Sequence, residues 1–242
     1  MAPLPSLPRI ERLHLADLVL PETHPEAKTS GGAAVVFGFV IDHPDGPIVV
    51  DTGVGRGHPF IDAVYAPTGL DLGDALSGVG IDARDVIAIV NSHLHFDHCG
   101  QNPLYYGSKV PVFVQAEEVE AARQPHYTVQ EWATVPDGQM RRVRGDEDVA
   151  EGVRILATPG HTRGHQSVVV EGGEGEVVVI AAQTVWDVKE FDREEATPAN
   201  VDEEDLRDEA VASIRRLKSL NPSAAYFSHH PTVWRSAPAG TR

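Results

Sequence analysis

Three histidines and an aspartate fall within six positions of the stretch "NSHLHFDHCGQN": His93, His95, Asp97 and His98. Imidazole suits zinc and other borderline metals, and a carboxylate adds a hard oxygen donor. His93 and His95 are two apart and point the same way from an extended backbone, while Asp97 and His98 come from the turn that follows. Four donors this close crowd one small ion, and two ions about 3.5–4 Å apart use them better. A solvated histidine-rich turn is the plain alternative, but two more segments supply matching donors. In "ATPGHTRGHQS", Gly160 and Gly164 allow tight backbone around His161, which follows an apolar run and is the natural third imidazole beside His93 and His95. His165 either ligates or supports the loop by hydrogen bonding. In "AAYFSHHP" only one of two adjacent histidines can face inward from an extended strand, and His229 is the one chosen over His230.

The elements that must position these residues read mainly as strands. "RIERLHLADLVL" alternates, and "AAVVFGFVID", a "HPDGP" turn and "IVVDTG" form a hairpin ending at Asp51. "DVIAIVNSH" is a short, continuously apolar strand of the kind covered on both faces. "VPVFVQ", "VRILATPG", "SVVVEGG", "EVVVIAAQ" and a last strand "AAYFSHH" complete the set, with Gly172 and Gly173 in a turn. "LDLGDALSGVGI" reads as a short helix stopped at Gly78 and Gly80, and "AEEVEAARQ" as another. Residues 125 to 145, with Tyr127 and Trp132, read as irregular. The clearest helix is "DEEDLRDEAVASIRRLKSLNP": Asp202 as N-cap, a stripe of Leu206, Ala210, Ile214 and Leu217, and Pro222 after the stop. Strands with helices between them suggest sheets packed face to face with helices outside, an α/β layered sandwich. Asp51, His93, His161, Gln183 and His229 all sit where apolar strands end, the usual place for an α/β active site.

The chain of 242 residues shows no linker or repeat and is expected to form one domain over residues 1–242. A net charge of −16 argues against a nucleic-acid partner and disfavours polyanionic substrates such as acyl-CoA, leaving a small neutral molecule. No window approaches the roughly 18 apolar residues of a membrane span. "MAPLPSLPRI" holds three prolines and no signal-peptide core, and the one cysteine, Cys99, fits a reducing compartment, so the expected location is the cytoplasm. Cys99 reads as a small buried thiol rather than a ligand. A homodimer is a candidate assembly, and the sequence does not fix the oligomeric state.

"HLHFDHCG" matches the HxHxDH signature of the metallo-β-lactamase superfamily, and "VVDTG", "TPGHTRGH" and the late "SHH" fall in that family's order. The resemblance covers nearly the whole chain. It implies an αββα four-layer sandwich with a metal site along one edge of two sheets. "SHLHFDHCGQN" followed by "VPVFVQAEEVEAA" looks most like the N-acyl-homoserine lactonase branch. Carried over by motif, His93, His95 and His161 would bind one metal and Asp97, His98 and His229 the other. Asp51 would orient ligands by hydrogen bonds, or simply end its strand.

Two positions depart from the family pattern. The aspartate that normally bridges both metals is Gln183 here, a neutral amide with one oxygen and a poor bridge between cations. Asp187, four residues on, is the nearest substitute. The tyrosine of lactonases, three residues past the bridge, is Trp186, which either lines an acyl pocket or belongs to the core. Tyr105, Tyr106 and Tyr127 are the other candidate hydroxyls for the substrate pocket, though nothing in the sequence places one over the metals. The expected activity is hydrolysis of a neutral ester, best a lactone such as an N-acyl-homoserine lactone, by a zinc-bound hydroxide (Fe and Mn accept the same ligands), with Asp97 as the catalytic proton carrier. The alternatives are a degenerate relative, with one metal or none, that binds a ligand or runs a different reaction, and a glyoxalase II-type thioesterase. The acidic balance weighs against that thioesterase and more strongly against a nuclease. The absent leader weighs against a β-lactamase, and His95, where diiron oxidoreductases carry an acid, against redox chemistry.

Overall fold

Alternate residues of the central strands are apolar on both faces, so each sheet must be covered twice. The computed structural model describes residues 6–237, so the first five residues of the proline-rich start lie outside the described residues. Among the described residues, twelve strands form two six-stranded sheets. The first runs in chain order: β1 (Arg9–Val19), β2 (Ala33–Asp42), β3 (Ile48–Val50), β4 (Ala88–Val90), β5 (Val112–Gln115) and β6 (Met140–Val143). The second holds β7 (Glu147–Ala150), β8 (Val153–Ala157), β9 (Gln166–Glu171), β10 (Val177–Ala182), β11 (Ala224–Phe227) and β12 (Trp234–Arg235). The helices are α1 (Pro59–Val64), α2 (Leu72–Gly78), α3 (Phe96–Cys99), α4 (Ala116–Ala121), α5 (Gln130–Ala133), α6 (Val188–Arg193) and α7 (Arg207–Ser219).

The period of two sorts the side chains into three apolar layers. Phe39, Ile41, Val50 and Val90 of the first sheet meet Ile155, Val168, Val170 and Ile180 of the second between the sheets. Val40, Val49 and Ile89 face the opposite way, with Leu72, Leu76 and Trp132. Val169, Val179 and Ala225 pack with Phe191 of α6 and Ile214 and Leu217 of α7. The result is the four-layer αββα sandwich. Leu206, Ala210, Ile214 and Leu217 are all buried, as their helical spacing requires.

Several local expectations need correction. Residues 125 to 145 are not wholly irregular: Gln130–Ala133 is helical and Met140–Val143 is a strand parallel to β5. "AAYFSHH" is not the last strand, since Trp234–Arg235 pairs antiparallel with β11. Asp202 does not cap α7; a 3-10 turn at Glu204–Leu206 intervenes and the helix begins at Arg207. Among the described residues no helix is long and apolar enough to cross a membrane.

Polar side chains stitch the two sheets together at one edge. Gln166 donates from its amide Nε2 to the carbonyls of Asn91 (2.8 Å) and Phe113 (3.1 Å), and its backbone N–H donates to Ser92 (2.8 Å). The Phe37 N–H donates to the Ser228 carbonyl at 2.8 Å. These bonds satisfy backbone groups left over where the strands end, and they fix the loops that carry the histidines.

Candidate metal centre

The loop after β4 carries His93 and His95, and Asp97 and His98 lie in the one-turn helix α3 rather than in a turn. His161 follows β8 and His229 follows β11. Glycine shapes the His161 loop. Gly160 has φ +149°, and a Cβ there would stand 2.4 Å from Cα of Ala210 in α7; one at Gly164 would stand 2.2 Å from the backbone nitrogen of Glu118.

Two donor groups result. Nδ1 of His95 lies 3.1 Å from Nε2 of His93 and 3.2 Å from Nε2 of His161. Tetrahedral nitrogen ligands on zinc stand about 3.4 Å apart, so these three fit one ion with little movement. In the second group Oδ2 of Asp97 lies 3.7 Å from Nε2 of both His98 and His229. Gln183 turns its amide oxygen into this group, 3.1 Å from His98 Nε2 and 3.0 Å from His229 Nε2. Each group's donor atoms lie within 4.8 Å of one another.

Each of the five histidines has its other ring nitrogen engaged. His93 Nδ1 meets Ser92 Oγ at 3.0 Å, and His98 Nδ1 meets Asp51 Oδ2 at 2.8 Å. His161 Nδ1 meets the Asn200 carbonyl at 3.0 Å, and His229 Nδ1 the Val35 carbonyl at 2.8 Å. His95 Nε2 faces Asp202 Oδ2 at 3.2 Å. An acceptor on one nitrogen leaves the lone pair on the other, which is how metal-binding histidines are held. The donor set therefore fits zinc.

Burial keeps most of these rings neutral. It holds His93 well below an ordinary imidazole, His161 down to about 3 and His229 down to about 4. Burial also opposes charge on His95 and His98, but neighbouring carboxylates outweigh it and raise both: Asp202 for His95, Asp97 and Asp51 for His98. Burial likewise pushes the Cys99 thiol up, and its Sγ faces the Leu94 carbonyl at 3.4 Å, away from either donor group.

Beside the two groups lies a cavity of about 630 Å³, lined by His95, Asp97, His161 and Gln183 together with Leu18, Leu20, Phe60, Ile61, Tyr65, Phe96 and Val129. Trp186 lines it too, stacked on His229 with ring centres 4.4 Å apart. Tyr105 and Tyr106 do not: Tyr105 is packed in the core, and the Tyr106 hydroxyl donates to the Trp132 carbonyl. Tyr127 reaches the cavity, but its hydroxyl donates to the buried Glu118, which also accepts from Leu94 N–H and the Thr162 hydroxyl. His165 bonds Thr158 through Nδ1 and belongs to neither donor group, so it supports the loop. His230 accepts from Thr232 N–H and stands outside. Asp187 does not replace the missing acid; its side chain caps α6 by accepting from Lys189 N–H. Asp202, Asn200 and Glu118 at the site were not singled out in the sequence as site residues.

The sequence model of the metallo-beta-lactamase superfamily matches residues 31–229. An N-acyl homoserine lactonase from Bacillus sp. is 31% identical over 209 residues, 80% of each chain. The solved structure of an N-acyl homoserine lactone hydrolase with the product N-hexanoyl-L-homoserine at its catalytic metal centre superposes with a TM-score of 0.76 at 26% identity, covering 93% of this chain and 94% of that one. A B. thuringiensis AiiA variant with N-decanoyl-L-homoserine at the active site gives 0.75 at 25% identity, covering 93% and 94%.

Proposed function

Because the chain belongs to the metallo-β-lactamase superfamily, we propose that it is a metal-dependent hydrolase of neutral esters, with N-acyl-homoserine lactones as substrates. The observation that carries this reading is the pair of donor groups opening on a cavity that combines polar groups near the donors with apolar side chains such as Leu18, Leu20 and Phe60. His93, His95 and His161 would hold one ion, and Asp97, His98 and His229, with the Gln183 oxygen, the other. When bound, zinc supplies a Lewis acid for the ester carbonyl and acidifies water toward a pKa of about 7. Asp97 has the position for acid–base work: it lines the cavity, and although burial opposes its charge, His98 and His229 keep its carboxyl below the usual range. It takes the proton of the attacking water and returns it to the leaving alkoxide.

Trp186 brings an indole where lactonases carry a phenol, so it contributes apolar surface rather than a proton. With Leu18, Leu20 and Phe60 it forms a wall suited to an acyl chain. The acidic net charge and the single buried cysteine support a neutral substrate and a reducing, cytoplasmic setting. Metal analysis of protein purified without added zinc, paired with a lactone, ester and thioester panel, tests the proposal. Bound zinc with lactone turnover is the expected result; no metal and no turnover would favour a ligand-binding relative that has lost the reaction.

A further inference from the structure

We propose that His24 and His58 are specificity-determining residues: they donate hydrogen bonds to two oxygens of the acyl group and so select a lactone whose acyl chain carries a ketone or hydroxyl beyond its amide carbonyl. The inference rests on the reading that the cavity takes an N-acyl lactone. Both histidines line that cavity, and neither belongs to a donor group. His24 stands one aromatic ring beyond the second donor group. Trp186 is stacked on His229, and the His24 ring lies tilted against Trp186 with centres 6.0 Å apart. His58 comes from the segment that also brings Phe60, and its ring is T-shaped against Trp132 with centres 5.7 Å apart.

The chain presents both rings in the same way. Each histidine precedes a proline, Pro25 or Pro59, that opens a helical turn. A following proline holds a residue's backbone extended, and φ and ψ are −69° and 131° at His24, −88° and 112° at His58. Each ring then caps its turn: Nδ1 of His24 accepts the Glu26 N–H at 3.1 Å, and Nδ1 of His58 accepts the Ile61 N–H at 3.4 Å. A ring nitrogen that accepts carries no proton, so the proton of each neutral ring sits on Nε2. Burial lowers His24 against the opposing pull of the Asp97 carboxylate, which keeps it in that neutral form. Among the described residues no protein acceptor meets either Nε2. His126 lines the cavity too, but it is exposed and no such bond fixes its ring. Two N–H donors are thus held beside apolar side chains such as Leu20 and Phe60. A plain acyl group has one acceptor oxygen, its amide carbonyl, and strands one of the two donors when it displaces their water. An acyl chain with a second oxygen a few bonds further on pairs both. Stranded donors are what make a hydrogen-bonding site reject an analogue.

The test compares kcat/KM of the zinc-loaded full chain for N-(3-oxooctanoyl)- and N-octanoyl-homoserine lactone. Wild type is expected to favour the 3-oxo substrate at least about fivefold, the scale of one stranded donor. His24→Asn and His58→Asn keep an oxygen that can cap the turn but remove the reaching N–H. One of the two is expected to lower both substrates alike, because its donor serves the amide carbonyl they share. The other is expected to abolish the preference. His230→Asn, at a histidine outside the cavity, should leave the preference as it is in wild type. Thermal melts check that each variant folds, and His24→Leu and His58→Leu are the second variants should either Asn variant fail to fold. A smaller wild-type preference, or one that survives in both folded variants, would overturn the inference and leave the hydrolase reading standing. Zinc-loaded wild type that turns over neither lactone would overturn both.

Discussion

The side-chain oxygen of Gln183 stands 3.0 Å from Nε2 of His229, in the place where the superfamily pattern expects a carboxylate. An amide oxygen can join one ion's ligands, but it brings no charge to hold two cations together. Wild-type protein purified without added zinc is expected to carry between one and two equivalents. Gln183→Asp should bring the content close to two and tighten the weaker site at least tenfold, since a unit charge about 4 Å away is worth up to about 4 kcal/mol near a protein surface. Elemental analysis after dialysis measures both. Unchanged stoichiometry in the variant would mean that Gln183 does not limit the second site.

His95 and His230 make a matched pair for testing which histidines matter. His95 shares the first donor group, whereas His230 turns to Thr232 N–H outside it. His95→Ala is expected to abolish lactone turnover and deplete the first metal. His230→Ala should keep both within about twofold, as a surface change away from the site usually does. Full turnover by His95→Ala would sink the assignment.

The five histidines of the two donor groups were legible in the sequence because their residue type and their places at strand ends are local signals. Asp202 was not, because an acid before a helical stripe is already explained as a cap, and its approach to His95 depends on a 3-10 turn and on Asn200. The strand Met140–Val143 escaped notice because two arginines in it are exposed at the sheet's edge, which removes the apolar run. The sequence also offered three tyrosines as candidate hydroxyls for the substrate pocket without placing any of them over the metals. Tyr105 went to the core, Tyr106 to Trp132 and Tyr127 to Glu118. Residue type identifies what a side chain can do, and long-range packing decides what it touches.

Asp51 accepts three hydrogen bonds, from Ser92 N–H and Ser92 Oγ at 2.7 Å each and from His98 Nδ1 at 2.8 Å. Its φ of +61° is a left-handed conformation that aspartate and asparagine tolerate better than most residues. Asp51→Ala would strand these buried donors and strain the backbone. It should cost about 2–4 kcal/mol in denaturant unfolding and weaken the His98 site. Asp51→Asn keeps the backbone preference but loses the charge, so it should cost less stability while still weakening zinc at the second site. Equal effects of the two variants on stability would show that the hydrogen-bond hub is not what Asp51 contributes.

The metal-free protein should lose stability as the pH falls. His161 and His229, held down to about 3 and about 4, stay neutral in the fold while the unfolded chain takes up protons below about 6.5. The unfolded state then binds more protons, so stability falls from pH 6.5 down to those folded values. His93 and His165, also lowered by burial, act in the same direction. Asp97 and Asp202 extend the loss to lower pH: burial works against their charge, but neighbouring histidines lower both, so their contribution is lost only as the pH falls below the ordinary carboxylate range. His95 and His98 are raised and work the other way, stabilising below about 6.5 and losing that contribution as the pH climbs through their raised values. The lowered groups dominate, so the melting temperature of metal-free protein should drop steadily between pH 6.5 and pH 4. Saturating zinc should raise the whole curve, and the gain should vanish at the acid end as protons displace the metal. A melting temperature that stays level or rises toward pH 4 would contradict the buried neutral state of these rings.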